Sequence, residues 1–290
     1  MNPKAFIKEN ILPVEANRYA KNSYYNLLLN NSMSRAAAGA STRMLDPERP
    51  ITWEFSGFSQ NGEDGIIDYL LSGLKNLSKY FIEIGSGNGL ENNTAYLAHI
   101  RKFAGIQIEA DIELYDDALI TKTWLTETIQ YFVNESTVES ILEKALYKNP
   151  DVFSIDIDGM DYYIAKLFLE KGLRPKIMVC EYNAAFGPSR AITLPYNPTF
   201  NMFTSGHPYL YYGVSLAGWK KLLTKYDYRF ITVESNGINA FFIQASECID
   251  GFAANIEEMV FKENMHQLRM FRKDCEGQFE MIKHLPFIEI

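Results

Sequence analysis

The chain has 290 residues, enough for one large domain with an extension or for two small domains. Apolar residues make up 47% and charged residues 22%, which excludes a chain that is disordered throughout. The net charge is −8 and no run of five or more basic residues occurs, so we expect no nucleic-acid partner.

Three cysteines stand far apart, at Cys180, Cys248 and Cys275, without a CxxC pair or a Cys/His cluster. Their odd number and wide spacing argue against a disulfide framework or a structural zinc site and fit a reducing compartment. The first residues, MNPKAFIKENILPVEANRYAKN, are too polar for a secretory signal, and nowhere do 18 apolar residues run together. We therefore expect a cytoplasmic protein without a transmembrane segment.

Residues 1–50 are rich in Asn and Ala, with a loose helical pattern at Tyr19, Tyr24, Leu27 and Leu28. The small-residue stretch AAAGAST follows, which is typical of a linker. We predict a helical N-terminal extension and a linker. The extension is either an oligomerisation arm, a lid, or a helix that packs on the main domain.

From Trp53 onward, short β-rich apolar runs alternate with helical patterns. The first five runs are separated by helices of the length that a parallel crossover requires. The last two are separated only by the turn SNGI, so they must pair as an antiparallel hairpin. The seven candidate strands are YFIEI (80–84), GIQIEA (105–110), TIQYFV (128–133), VFSIDI (152–157), KIMVCEY (176–182), RFITVES (229–235) and NAFFIQA (239–245).

These patterns predict an α/β fold with a doubly wound, Rossmann-like seven-stranded sheet, mostly parallel with a terminal antiparallel β-hairpin. The sheet domain is expected over residues 51–246. Residues 247–290 read as amphipathic helices, which we expect to pack on the core or to form a subunit contact. A homo-oligomer through the terminal helices is therefore one expectation.

A glycine-rich loop, EIGSGNGLENN (83–93), follows the first candidate strand and opens the next helix. Gly85, Gly87 and Gly89 permit conformations and close approaches that a Cβ forbids. A turn of this kind at a helix N-terminus offers unpaired N–H groups to a ligand, although tight turns also use glycine for structure alone. The spacing G-x-G-x-G differs from the G-x-G-x-x-G of dinucleotide-binding loops.

Two acids flank this loop. Glu83 ends the first strand, where it would repel a pyrophosphate but would suit an ammonium or sulfonium group. Glu109 ends the second strand about 20 residues past the loop, where an acid can accept both hydroxyls of a ribose. A ribose with a cationic tail indicates S-adenosylmethionine. The alternative of an NAD-linked oxidoreductase is disfavoured by the loop spacing and the hairpin.

Six segments together suggest a family: FSQNGEDGII (58–67), FIEIGSGNGLENNT (81–94), GIQIEAD (105–111), FSIDIDGMDYYI (153–164), CEYNAAFGP (180–188) and INAFFI (238–243). With them the chain resembles class I S-adenosylmethionine-dependent methyltransferases, and more narrowly the FkbM-like methyltransferases of bacterial glycan and natural-product pathways. The resemblance implies methyl transfer to an oxygen or nitrogen of a small polar acceptor, such as a carbohydrate or its activated precursor. A non-catalytic module that keeps the fold for binding is the remaining alternative.

The resemblance also implies roles for individual residues. The glycine loop would wrap the methionine portion of the cofactor, Glu109 would take the ribose, and Asn134 or Glu135 would lie near the adenine. Gln60 would cap the methionine end. The implied cofactor-binding residues are Gln60, Glu83, Gly85, Ser86, Gly87, Gly89, Asn93, Glu109, Asn134 and Asp156.

The segment SQNGEDG has a structural alternative. Ser59 or Asn61 can cap a helix whose first turn carries Glu63 and Asp64, which the helix dipole favours.

Acids accumulate where the fourth and fifth candidate strands end: Asp156 and Asp158, then Glu181 with Asn183. Ligands bind outside the carboxyl ends of such strands, and buried carboxylates must be bonded, paired or neutralised. Three explanations stay open. Asp156 binds the amino group of the cofactor; or Mg²⁺ lies between Asp158, Glu181 and Asn183; or Asp158 and Asp161 cap the helix that starts at Met160.

A long insertion after the fifth strand, residues 184–213, is loaded with aromatic residues, Pro and Gly, and should form much of the acceptor pocket. Asp158 and, within the insertion, His207 are the candidate general bases for an alcohol acceptor. Arg190 either binds an anionic acceptor or is a solvated charge at the surface. Tyr196, Tyr209, Tyr211 and Tyr212 suit a sugar ring, or pack the insertion.

Overall fold

A computed structural model describes residues 12–252, 256 and 261–290. The strands within them are β1 Tyr80–Ile84, β2 Ala104–Glu109, β3 Thr126–Gln130, β4 Val152–Ile155, β5 Ile177–Glu181, β6 Ile192–Thr193, β7 Tyr228–Val233, β8 Asn239–Gln244 and β9 Ile288–Glu289. The α-helices are α1 Leu12–Thr42, α2 Glu63–Ser72, α3 Ala95–His99, α4 Ile112–Thr121, α5 Val138–Lys144, α6 Asp161–Glu170, α7 Leu216–Thr224, α8 Met265–Phe271 and α9 Cys275–Ile282.

Seven strands form one sheet in the order β3-β2-β1-β4-β5-β8-β7. All neighbours from β3 to β5 pair in parallel, whereas β8 is antiparallel to both β5 and β7. The predicted fold class is confirmed. The order reverses between β1 and β4, and such a switch point is where open α/β sheets bind ligands.

Both faces of the sheet are covered by helices, so the central strands are buried on both sides. In β1, Tyr80 and Ile82 pack into one layer of the core while Phe81 packs into the other, as the alternation of a strand requires. The apolar runs that predicted the strands therefore supply both layers of the core.

Glu234 organises the β7–β8 turn. Its buried carboxylate accepts hydrogen bonds of 2.5–3.2 Å from the backbone N–H groups of residues 236, 237, 238 and 239. Four donors compensate for the burial of this acid. The composition of SNGI predicts the turn, but the acid in front of it makes the turn rigid.

Helix α1 runs through the stretch AAAGAST, which we predicted to be a linker. Alanine is the strongest helix former, and small side chains here allow close contact with the main body. A Cβ on Gly39 would lie 2.7 Å from Cβ of Phe55, and a Cβ on Gly57 would lie 2.3 Å from Cβ of Ala36. Residues 1–11 of the predicted extension lie outside the described residues, and the predicted boundary near residue 50 stays a prediction.

The C-terminal segment packs against the insertion of residues 184–213. Strand β9 pairs antiparallel with β6. Arg190 donates two hydrogen bonds to Glu276, of 2.9 and 2.6 Å, and its guanidinium lies 4.0 Å from the ring centroid of Phe279. Arg190 is therefore engaged in packing rather than in gripping an acceptor. Among the described residues, no helix has both the length and the apolar character needed to cross a membrane.

Candidate functional site

The carboxyl ends of β1, β2 and β4 are held together at Gly85. Its φ is +83°, and an added Cβ would lie 1.7 Å from the carbonyl oxygen of Asp156. The backbone N–H of Gly85 donates to the carbonyl of Ile108 at 2.9 Å, and that of Asp156 donates to the carbonyl of Ile84 at 3.0 Å. Only glycine fits between the three strand ends.

A cavity of about 330 Å³ opens at these strand ends. This volume is within the range of small-molecule sites, and the walls are mostly apolar with a few polar groups, as is usual for such sites. The predicted residues Gly85, Gly87, Glu109, Asn134 and Asp156 line it, and Asp158 lies at its edge. Sequence reasoning missed its apolar walls, which include Leu114, Tyr131, Phe132, Ile157 and Phe200.

Glu109 connects the glycine loop to the end of β2. Its carboxylate accepts hydrogen bonds from the N–H groups of Gly87 (2.7 Å), Ala110 (2.8 Å) and Asp111 (2.9 Å). A carboxylate has about four acceptor positions, so one remains for a ligand hydroxyl. At Gly87, where φ is +55°, nothing lies within 4 Å of the position of a Cβ.

The other predicted residues of the loop make contacts within the protein and do not line the cavity; they are Glu83, Ser86, Gly89 and Asn93. The carboxylate of Glu83 accepts from the backbone N–H of Asn93 (2.9 Å) and the hydroxyl of Thr94 (2.5 Å). Burial raises the pKa of Glu83 to about 7. Ser86 is fully buried, and a Cβ on Gly89 would lie 3.1 Å from Cβ of Ala118.

A second cavity, of about 470 Å³, adjoins the first, and both are lined by Asp156 and Asp158. Its walls come from six segments of the chain that lie far apart in the sequence. Gln60, which we predicted to contact the cofactor, lines this second cavity. The lining residues are Gln60, Asn61, Asp156, Asp158, Glu181, Met202, Tyr209, Tyr212, Asn236, Ile238, Asn264, Met265, His266 and Arg269.

Carboxylate oxygens of Asp156, Asp158 and Glu181 lie within 4.8 Å of one another. Burial, and then the charge of Asp158, raises the pKa of Asp156 well above its usual range, and burial with the charge of Asp156 does the same for Glu181. Asp158 is the exposed member. Loss of solvent around its carboxylate, with the charges of Asp161 and Glu109, raises its pKa to about 6.

Asp158 has a left-handed backbone, with φ +53°. The carboxylate of Asp161 supports this turn by accepting from the N–H groups of Ile157 and Gly159, both at 2.9 Å. Asp161 therefore holds the loop that presents Asp158, rather than capping the first N–H groups of α6.

Asn183 does not fit the predicted metal site. Its amide nitrogen donates to the carbonyls of Leu210 (2.8 Å) and Tyr212 (2.9 Å), and its oxygen accepts from Ala185 N (3.0 Å) and Gln267 Nε2 (3.1 Å). All hydrogen-bonding capacity of the amide is used. Asp156 takes its place as the third member of the acidic cluster.

The predicted catalytic histidine, His207, does not lie in either cavity. Its ring meets that of His284 with centroids 5.6 Å apart. His266, from the segment that we expected only to pack, lines the second cavity instead. Nothing in the local sequence marks it, because its position depends on how α8 meets the hairpin.

The SQNGEDG segment is fixed by buried polar contacts. The carboxylate of Asp64 accepts from the N–H groups of Gly57, Phe58 and Ser59, while Asp64 N donates to Ser59 Oγ at 3.0 Å. The N-cap residue of α2 is Gly62, so the prediction of Ser59 or Asn61 at that position is wrong, although Ser59 Oγ does accept an N–H of the first turn.

Asn61 is bound differently, since it connects α2 to the hairpin. Its amide nitrogen donates to Glu63 (3.2 Å), and its oxygen accepts from Asn236 (3.0 Å). Glu63 in turn accepts from the amide of Asn239 at 3.0 Å. These contacts fix Asn61 and the adjacent Gln60 at the rim of the second cavity.

No protein-family model matches the sequence, and no curated protein matches it. Among solved structures, the chain is similar to the O-methyltransferase from Bacillus cereus in complex with SAH (15% identity, 74% of this chain and 89% of that chain, TM-score 0.39). It is also similar to SAH-bound Podospora anserina methyltransferase PaMTH1 (16%, 57% and 71%, 0.36) and to the N-terminal domain of human METTL16 with SAH (12%, 62% and 65%, 0.38). These values are too low to carry a role from those proteins to this chain.

The acidic cluster predicts a pH-dependent stability. Because the pKa of Glu181 is higher in the folded than in the unfolded chain, the folded chain binds more protons between those values, so stability falls as pH rises above about 4. We expect Glu181→Gln to be more stable than the native chain at pH 8, with a smaller gain at pH 5. Each pKa unit removed is worth about 1.4 kcal/mol.

Urea unfolding at the two pH values measures the gain. Glu113→Gln, which alters an exposed carboxylate on α4, is the control and should leave the pH dependence unchanged. A Glu181→Gln chain that is less stable than the native one at pH 8 would contradict the assignment.

Proposed function

We propose that this chain is an S-adenosylmethionine-dependent methyltransferase that methylates an oxygen or nitrogen of a small polar acceptor. The observation that carries the proposal is that two cavities meet at Asp156 and Asp158, at the switch point of the sheet. A nucleoside in the largely apolar cavity and an acceptor in the polar one would touch at these two residues.

The first cavity suits the parts of the cofactor in order. Gly87 leaves room for the methionine portion, the remaining acceptor position of Glu109 suits a ribose hydroxyl, and Phe132 and Asn134 flank the space for adenine. Asp156 suits the ammonium group. The antiparallel β8 between β5 and β7 distinguishes this sheet from the 3-2-1-4-5-6 order of dinucleotide-binding sheets.

The cofactor, when bound, supplies a methyl group on a sulfonium. The protein must hold the acceptor in line with it, and such positioning is worth up to about 7–11 kcal/mol. A hydroxyl acceptor also loses its proton as the new bond forms, and Asp158 is the group that takes it. A pKa of about 6 leaves Asp158 mostly ionised at neutral pH and therefore ready to act as a base.

A glycan or glycan precursor is the acceptor class that we propose. Tyr209 and Tyr212 line the second cavity beside Gln60 and Asn61, and aromatic rings with amides suit a hydroxylated ring. The resemblance to FkbM-like enzymes points the same way. A cytoplasmic location and assembly through the terminal helices stay predictions.

Cofactor binding gives the first test. We expect Gly87→Val to fill the space that the methionine portion needs and Glu109→Ala to remove the ribose acceptor. A charged hydrogen bond is worth about 1.5–3 kcal/mol, so Glu109→Ala should lose about tenfold to a hundredfold in affinity for S-adenosylmethionine by calorimetry. Gly87→Val should also lower this affinity, because its side chain occupies the cavity.

Glu113→Ala, an exposed acid of α4 outside the cavity, should bind like the native chain. Unchanged affinity in both Gly87→Val and Glu109→Ala would remove the site assignment. Tight binding of nicotinamide dinucleotide by the native chain, seen by fluorescence titration, would favour an oxidoreductase instead.

Asp158→Asn tests the base. For a hydroxyl acceptor we expect kcat to fall about 10²–10⁴-fold, as is usual for a lost general base, while affinity for S-adenosylmethionine changes little. The native kcat should rise with pH through about 6, because the base must be deprotonated, and the variant should lose this rise. A variant with native kcat would assign the base elsewhere.

A divalent ion at the acidic cluster is the alternative to a free Asp158 base. Three carboxylate oxygens without His or Cys suit Mg²⁺, with Asp156, Asp158 and Glu181 as the residues that would hold it. We expect chelation to lower activity and Mg²⁺ to restore it. Mg²⁺ should also raise the unfolding midpoint of the native chain at pH 8 but not that of Glu181→Gln. Full activity after exhaustive chelation would contradict a role for a divalent ion.

A further inference from the structure

Helix α8 contributes one exposed arginine, Arg269, to the wall of the second cavity, the proposed acceptor cavity. Met265, His266 and Arg269 all line that cavity, and their spacing of three and four residues places them on one face of the helix. Gln267, on the neighbouring face, is 1% exposed. A segment that the sequence assigns to packing therefore contributes a guanidinium to the site.

The direction of this face is fixed by buried contacts. Asn264 caps α8 by accepting from His266 N (2.8 Å) and Gln267 N (3.1 Å), and Met265 N donates to the carbonyl of Asn236 at 2.9 Å. The amide of Gln267 donates to Asn183 (3.1 Å) and to the carbonyl of Tyr209 (2.7 Å). The contacts of its neighbours thus tie the position of Arg269 to the hairpin, to the residues that follow β5 and to the insertion.

Arg269 has no carboxylate partner. Three acids line the same cavity, yet within the part of the chain that the structure describes no carboxylate oxygen lies within 4.0 Å of its guanidinium. Arg190, the arginine that the sequence offered for this task, is paired with Glu276. The cavity is therefore lined by three acids and, at a separate position, by the N–H donors of the Arg269 guanidinium, which are not paired with any of these acids.

We infer that the acceptor carries an oxyanion, a phosphate or a carboxylate, which Arg269 binds. The identity of the reaction rests on the proposed function, but the anion site does not. A guanidinium binds either oxyanion through two parallel hydrogen bonds. Asp158, the exposed acid that is mostly ionised at neutral pH, repels the same anion, so attraction and repulsion together orient the acceptor with its uncharged nucleophile toward Asp158.

The binding of an oxyanion by Arg269 can be tested with the full chain and three sugars of similar ring structure. The probes are glucose, glucose 6-phosphate and glucuronate, which share a ring and differ in charge and in the kind of anion. Dissociation constants from ligand-observed NMR, with SAH present and again without it, need no turnover. We expect the better anionic sugar to bind at least about tenfold more tightly than glucose, from two charged hydrogen bonds.

Arg269→Gln should abolish this preference and leave glucose binding unchanged. Arg35→Gln, which removes an exposed arginine from α1, is the charge-matched control and should keep it. Comparing glucose 6-phosphate with glucuronate identifies the oxyanion. Equal affinity of the native chain for all three sugars, or a preference that survives Arg269→Gln, would overturn the inference.

The two proposals fail separately. An anion preference that depends on Arg269, in a chain that does not bind SAH by calorimetry, would refute the methyltransferase and keep the anion site. Binding of SAH without any anion preference would do the reverse.

Discussion

The close contact between Gly85 and the backbone of Asp156 is the constraint on which the site depends. It brings the ends of three parallel strands so near to one another that no side chain fits between them. The glycine loop then turns across β2, where Glu109 receives its N–H group, and β4 ends in the acids that line both cavities. One requirement on a single backbone position thus sets the geometry of the first cavity and of its border with the second.

The acids at this border oppose folding, because buried carboxylates close together repel one another and lose their hydration. Other acids of the molecule are buried too, but Asp64, Asp161 and Glu234 are each surrounded by backbone N–H groups. Asp156 and Glu181 have no comparable set of backbone donors among the described residues. A cluster left with this cost is typical of a functional site rather than of a structural one.

The features that could be predicted from the sequence are those that depend on a local pattern of residues, namely the strands and the glycine loop. All seven strands lie within a few residues of the predicted runs, because a buried strand needs a continuous apolar run, and the glycine loop was recognisable because it directly follows β1. The errors concern contacts between distant segments. His207 and Asn183 had suitable chemistry, but His207 meets His284 in the loop after α9 and Asn183 is bound by Gln267 of α8. No local pattern in the sequence marked Arg269. The alanines of AAAGAST favour a helix, but the contact of this stretch with residues 55 and 57, which explains its small side chains, could not be predicted from composition.

The pairing of β6 with β9 has a consequence for how the molecule assembles. Ile192 and Glu289 pair across almost one hundred residues of chain, and α8 lines the second cavity together with Asp156 and Asp158, which lie about as far away in the sequence. Closing loops of that length costs entropy before any contact compensates for it. Three of the four parallel pairs join strands only 21 to 25 residues apart in sequence, so these pairs can organise first. We expect the second cavity to be completed late in folding, because its α8 wall comes from the C-terminal segment.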